Sequence, residues 1–154
     1  GRNMAEVKLG DSDAGDSGRK DGMQNILVID DDKLMCMALA RILASAGYNV
    51  VQASDGDEGL NLYRTQEFDL VITDLIMPDK EGIQIIRELR KEDSTIRIIA
   101  MSAGGRGGAT DYLKWAKLMG AKHCMSKPIK RDELLAAVSA VLAMPRSPRA
   151  ENPS

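Results

Sequence analysis

The sequence predicts an α/β domain in which a parallel five-stranded sheet is doubly wound, with helices on both faces. Three observations carry this. Apolar runs of strand length alternate with stretches of helical period, five times along the chain. The first, third and fourth of those runs are rich in Ile and Val without polar alternation, as strands covered on both faces should be. Glycines and aspartates stand at the joins, where helices stop and start.

Asn25 to Ile29 is the first strand, and the helix Lys33 to Ala46 comes next. Asp32 fits a helix-capping position, Met35, Leu39 and Ile42 recur at the spacing of a buried helix face, and Gly47 closes the segment. The second strand is Asn49 to Ala53. Asp55 with Glu58 three residues later resembles a capping box and starts the helix Asp57 to Arg64. Leu70 to Thr73 is the third strand, and Pro78 and Gly82 frame the turn into the helix Ile83 to Lys91, on which Arg90 reads as an exposed position. Arg97 to Met101 is the fourth strand. The run GGRGG from Gly104 to Gly108 lacks the spacing and the Lys-Ser/Thr ending of a phosphate-binding loop, so it reads as a mobile loop and not a nucleotide cradle. A helix over Thr110 to Met119, stopped by Gly120, leads to the strand His123 to Ser126 and the helix Arg131 to Ala143. Such alternation implies right-handed crossovers.

At 154 residues the chain is about one domain long, which excludes separate cofactor and substrate domains. Residues 10–22 hold four Gly and four Asp with a single Ala as the only apolar side chain, too little to offset the entropy of ordering them. Residues 1–23 are therefore expected as an N-terminal tail, its first three residues resembling a leftover of recombinant expression. Residues 24–144 form the domain, and residues 145–154, with three Pro and no periodic pattern, a C-terminal tail. Aromatics are 3% and Met numbers 9, so the core is aliphatic and folds that stack bases are disfavoured. The net charge of −2 gives no general attraction to nucleic acid or anionic membranes. No apolar stretch approaches the roughly 18 to 20 residues that span a bilayer. Cys36 and Cys124 lie far apart without a clustered His, so neither zinc nor a disulfide is indicated, and a reduced, cytoplasmic protein is expected.

In an open α/β sheet the ligand site lies beyond the carboxyl ends of the strands. Those ends present Asp30, Asp31 and Asp32 after ILVI, Asp74 after LVIT, Ser102 after IIAM and Lys127 after CMS. Crowded carboxylates repel, so a cation belongs among them. A hard divalent ion with oxygen ligands fits, Mg²⁺ being the abundant candidate, with Lys127 supplying one more positive charge. Metal on one side and Lys and Ser on the other is what a transferring phosphoryl group needs. The lone histidine, His123, opens a strand and reads as structural or surface. Asp74 reads as the nucleophile, since a carboxylate takes a phosphoryl group directly and needs no general base.

With ILVIDDD, LVITDLIMPDKEG, AMSA and SKP in that order, residues 24–144 resemble the receiver domain of the two-component response-regulator family, in its single-domain form. The resemblance implies a flavodoxin-like strand order 2-1-3-4-5 and transfer of a phosphoryl group from a histidine kinase phosphohistidine onto Asp74. Asp30, Asp31, Asp74 and the backbone carbonyl of Ile76 would hold Mg²⁺. Ser102 and Lys127 would bind the phosphoryl oxygens, and the Lys127-Pro128 bond would be cis. The expected partners are a sensor histidine kinase or phosphotransfer protein, docking near the first helix, and a downstream protein that reads the face formed by the 110–119 helix with Tyr112 and Trp115, the last strand and the last helix. No direct nucleic-acid contact and no membrane insertion are expected. Any activity of its own would be weak self-phosphorylation and autodephosphorylation.

Two positions depart from the family pattern. Cys124 stands three residues before Lys127, where many receivers carry an aromatic residue, and Ile76, two after the acceptor, stands where polar residues are common. Other readings are a receiver-like binding module that no longer cycles phosphate, an intermediate in a phosphorelay, and a metal-dependent phosphatase. The last needs an acid-base Asp at the position Ile76 occupies.

Overall fold

A computed structural model of the chain describes residues 22–75, 82–103, 114 and 120–145. Five strands form one parallel sheet: β1 (Asn25–Ile29), β2 (Asn49–Ala53), β3 (Leu70–Asp74), β4 (Ile98–Ala103) and β5 (His123–Lys127), in the order β2-β1-β3-β4-β5. The helices among the described residues are α1 (Lys33–Ser45), α2 (Gly56–Thr65), α3 (Gly82–Glu92) and α4 (Arg131–Ala143). Of the stretch expected as a helix over 110–119, Lys114 is described and helical, and the rest, with Tyr112 and Trp115, lies outside the described residues. So do Ile76, Pro78, the GGRGG run and both tails, apart from the few residues that adjoin β1 and α4.

Side chains alternate along each strand between two cores. Ile26 and Val28, Leu70 and Ile72, and Ile99 and Met101 pack with Cys36, Leu39 and Leu43 of α1 and Leu134, Val138 and Val141 of α4. Their neighbours Leu27 and Ile29, Val71, and Ile98 and Ala100 pack on the other face with Leu60, Phe68, Ile85, Ile86 and Leu89. Both faces are covered, which is why these runs are continuously apolar.

The caps stop and start the helices where the sequence placed them. The Asp32 carboxylate accepts the Met35 N–H at 3.1 Å and begins α1. Its end is a Schellman turn: Gly47 sits at φ +97°, Gly47 N–H donates to Ala44 C=O and Tyr48 N–H to Leu43 C=O. At α2, Asp55 accepts the Glu58 N–H at 2.8 Å, but Glu58 reaches back one residue further than a capping box requires, to the N–H and hydroxyl of Ser54.

Three strands differ from expectation at their ends, and this matters for the site. β3 includes Asp74, β5 includes Lys127, and β4 begins at Ile98 and runs on to Ala103. The ladder continues because Leu75 N–H donates to Met101 C=O and because Ser102 and Ala103 pair with Ser126 and Lys127. Asp74, Ser102 and Lys127 are thus held in the last residues of strands, while Asp30 and Asp31 directly follow β1.

Arg90 is the other correction. It is half-buried, and its guanidinium donates to the carbonyls of Ser94, Ile96 and Gly120. A side chain this long crosses from its own helix to backbone that helical spacing does not reveal.

Candidate functional site

Asp30 directly succeeds β1 and Asp74 ends β3, the two strands at the centre of the sheet from which connections diverge to opposite sides. Asp30 is 0% exposed and Asp74 5%, while Asp31 is exposed. One carboxylate oxygen from each of the three lies within 4.8 Å of the others. Lys127, from the end of β5, inserts its ammonium between the two buried members, 3.0 Å from Asp30 Oδ2 and 3.3 Å from Asp74 Oδ2.

Burial pulls the Lys127 ammonium toward its neutral form. The hydrogen bond to Asp30 and the negative fields of Asp74 and Asp30 outweigh that, so its pKa stands above the ordinary 10.5 and the side chain is a fixed cation. Three carboxylates and one ammonium leave two negative charges, the charge of one divalent cation. All the convergent donors are hard carboxylate oxygens, and one of them faces solvent, so the set fits a divalent ion that keeps part of its water shell.

The second oxygen of Asp30 is also engaged: Oδ1 accepts the Asp32 N–H at 3.0 Å. The start of α1 therefore orients Asp30 through the backbone while the Asp32 side chain caps the helix, so Asp32 is a support and not a member of the cluster. Ser102 is 0% exposed at the end of β4, beside β5 in the register that brings Ala103 opposite Lys127. The Lys127–Pro128 peptide is cis, as the resemblance implied. The carbonyl of Ile76 lies outside the described residues. His123 is half-buried at the amino end of β5, a strand's length from the cluster. Cys124 is half-buried against the core packed by α2 and α3.

A cavity of about 270 Å³ adjoins the cluster, lined by Asp30, Lys33, Cys36, Met37, Gln52, Ala53, Ser54 and Glu58. Cys36 lends it no reactivity. Its thiol donates weakly to the carbonyls of Val28 and Ala53, and burial, with the charge of Asp30 added, pushes its pKa up to about 11. One contact at the site escaped sequence reasoning altogether: the buried Thr73 hydroxyl donates to the carbonyl of Asp74 at 3.2 Å. The available signal was a polar residue interrupting the apolar run Leu70, Val71, Ile72 directly before the acidic one.

Among the described residues no helix is long and apolar enough to cross a membrane. The family model for the response regulator receiver domain matches residues 26–139. Protein PilH of Pseudomonas aeruginosa is 33% identical over 121 residues, covering 79% of this chain and 99% of PilH. The probable transcriptional regulator ycf27 of Guillardia theta is 38% identical over 119 residues, 77% of this chain but 45% of that protein, so the chain spans about half of that relative's length. The crystal structure of a response regulator receiver domain protein from Clostridium thermocellum is similar with a TM-score of 0.72 at 30% identity, covering 78% of this chain and 94% of that one. Sheet order, acidic cluster and sequence likeness converge, and the chain belongs to the response regulator receiver domain family.

Proposed function

We propose that this receiver accepts a phosphoryl group on Asp74 in a Mg²⁺-dependent reaction, from the phosphohistidine of a histidine kinase or phosphotransfer protein, and passes the signal to a partner protein by a change of conformation. The observation that carries the reading is the placement of Asp74 between a cation-binding carboxylate cluster and the Lys127 ammonium. Asp30 and Asp31, with Asp74 itself and the Ile76 carbonyl, would hold the ion. When bound, Mg²⁺ neutralises charge on the phosphoryl oxygens.

The chain's own residues do the rest. An Asp74 carboxylate oxygen attacks phosphorus in line with the phosphorus–nitrogen bond of the donor. That bond breaks, its electron pair stays on the imidazole nitrogen, and a proton from solvent restores the ring. The product is an aspartyl phosphate, and the site gains roughly one negative charge, because a carboxylate of −1 becomes an acyl phosphate of about −2. Lys127 is the fixed cation that meets this charge, and the Ser102 hydroxyl at the next strand end offers it a hydrogen bond. Cys36 and Cys124 are not joined in a disulfide, in keeping with a reducing compartment such as the cytoplasm.

Incubation with Mg²⁺ and a small phosphodonor such as acetyl phosphate, and then intact mass measurement, tests the reading. The expected result is a labile adduct of about 80 Da, the mass of one PO₃ group, that disappears without Mg²⁺ and in the Asp74→Asn variant. A protein that stays unlabelled would be a binding module independent of phosphate.

A further inference from the structure

We propose that Thr73 is a positioning residue for this reaction: its hydroxyl pins the peptide that carries the acceptor. The inference rests on the reading of Asp74 as the acceptor. The pairing of β1 with β3 ends at Ile29 and Thr73, so Asp74 lies one residue past it and is paired on the β4 side, with Met101. The peptide joining Asp74 to Leu75 is nonetheless held at both of its polar groups. The Thr73 hydroxyl donates to its carbonyl at 3.2 Å, and its N–H donates to Met101 C=O at 2.8 Å. Holding that plane fixes ψ of Asp74, the soft backbone torsion that links the acceptor's Cα to the Leu75 peptide.

The chemistry of residue 73 favours this role over simple packing. Leu70, Val71 and Ile72 are fully buried and apolar, and Thr73 is equally buried at 0% exposure. Burying a hydroxyl is unfavourable unless it is hydrogen-bonded, so Val would suit the packing better. Its β-branched side chain has few rotamers, which keeps the donor aimed. By strand alternation Thr73 points to the face of Val71 and Leu75, packed by α2 and α3, away from the Asp74 carboxylate. It therefore acts on the acceptor through the backbone, without touching the phosphoryl group.

Two variants separate positioning from packing. Thr73→Val keeps shape and removes the donor, while Thr73→Ser keeps the donor and removes the methyl. At saturating Mg²⁺ and phosphodonor, Thr73→Val is expected to label about tenfold more slowly with Mg²⁺ affinity changed less than about twofold, since misplacing a nucleophile costs rate and not ion binding. Thr73→Ser should label within about threefold of the parent rate while melting at a lower temperature. A parental rate in Thr73→Val, or an equal loss of rate in both variants, would overturn the proposal. Asp74→Asn run alongside keeps the two readings apart: if it is labelled, the acceptor assignment fails and this inference with it, whereas if it stays silent beside a parental Thr73→Val rate, only Thr73 is wrong.

Discussion

The two ends of the sheet carry polar side chains in similar number and use them in opposite ways. At the amino end, Asn25 N–H donates to Asp69 Oδ2 at 2.8 Å, the Asn25 amide donates to Glu67 C=O, and Asn49 donates to the Asn25 side chain. Arg97 joins Asp69 C=O to Met144 C=O at the end of α4, and Arg90 joins α3 to the approach of β5. These contacts end on backbone or on one another, and they fix where each strand begins. At the carboxyl end, Asp30, Asp31 and Asp74 face each other with one ammonium for three charges. The difference teaches where to look for chemistry: an end whose polar groups are satisfied by backbone and by one another is scaffold, and an end that crowds carboxylates around one ammonium is the candidate site.

Substitutions at the two ends should therefore fail in different ways. The largest effect is expected for Asp31→Ala, at the exposed member of the cluster proposed to hold the ion, whose loss should weaken Mg²⁺ binding by about tenfold or more, read by calorimetric titration, with the melting temperature unchanged or raised by relief of repulsion. Asp69→Ala is the mirror image. It strips the buried Asn25 N–H of its acceptor, costing about 1 to 3 kcal/mol by denaturant unfolding. Mg²⁺ affinity should hold, because a five-residue strand keeps the change roughly 17 Å from Asp74. Lost Mg²⁺ binding in Asp69→Ala would break the division of labour between the ends.

The smallest effect sharpens the comparison within the carboxyl end. Cys36 borders the site, yet its hydrogen-bonding capacity is directed at backbone, so it should behave as scaffold. With its pKa pushed up to about 11, its thiol stays protonated at pH 8 and shows little thiolate even at pH 9 to 10. Titration of the native protein with a thiol reagent at pH 8 should modify Cys124 first and Cys36 only on unfolding. A thiol pKa raised by folding adds stability that is complete below pH 9.0 and is lost as pH rises toward about 11.

Much of this division was legible in the sequence. Asp32, Gly47 and Asp55 announce helix ends because capping depends on one or two residues adjacent in sequence. Asp30, Asp74, Ser102 and Lys127 could be gathered because parallel strands bring their carboxyl ends to one rim. Long reach was not legible. The Arg90 contact with Gly120 spans 30 residues and the Arg97 contact with Met144 spans 47, and neither leaves a local pattern. Nor could periodicity foresee β4 running on through Ser102, since that extension depends on β5 lying alongside to pair with it.

Gly120 holds φ at +100°, and a Cβ placed there would stand 2.6 Å from Nε of Arg90, whose guanidinium is itself tied to three carbonyls. In the history of such a chain the two positions are coupled through this contact. A side chain gained at residue 120 makes the Arg90 guanidinium swing aside and give up its bond to the Gly120 carbonyl, and it has to tolerate a left-handed backbone, as Asn does. A lineage that begins with residue 120 loosens the arginine's tie between α3 and the approach to β5.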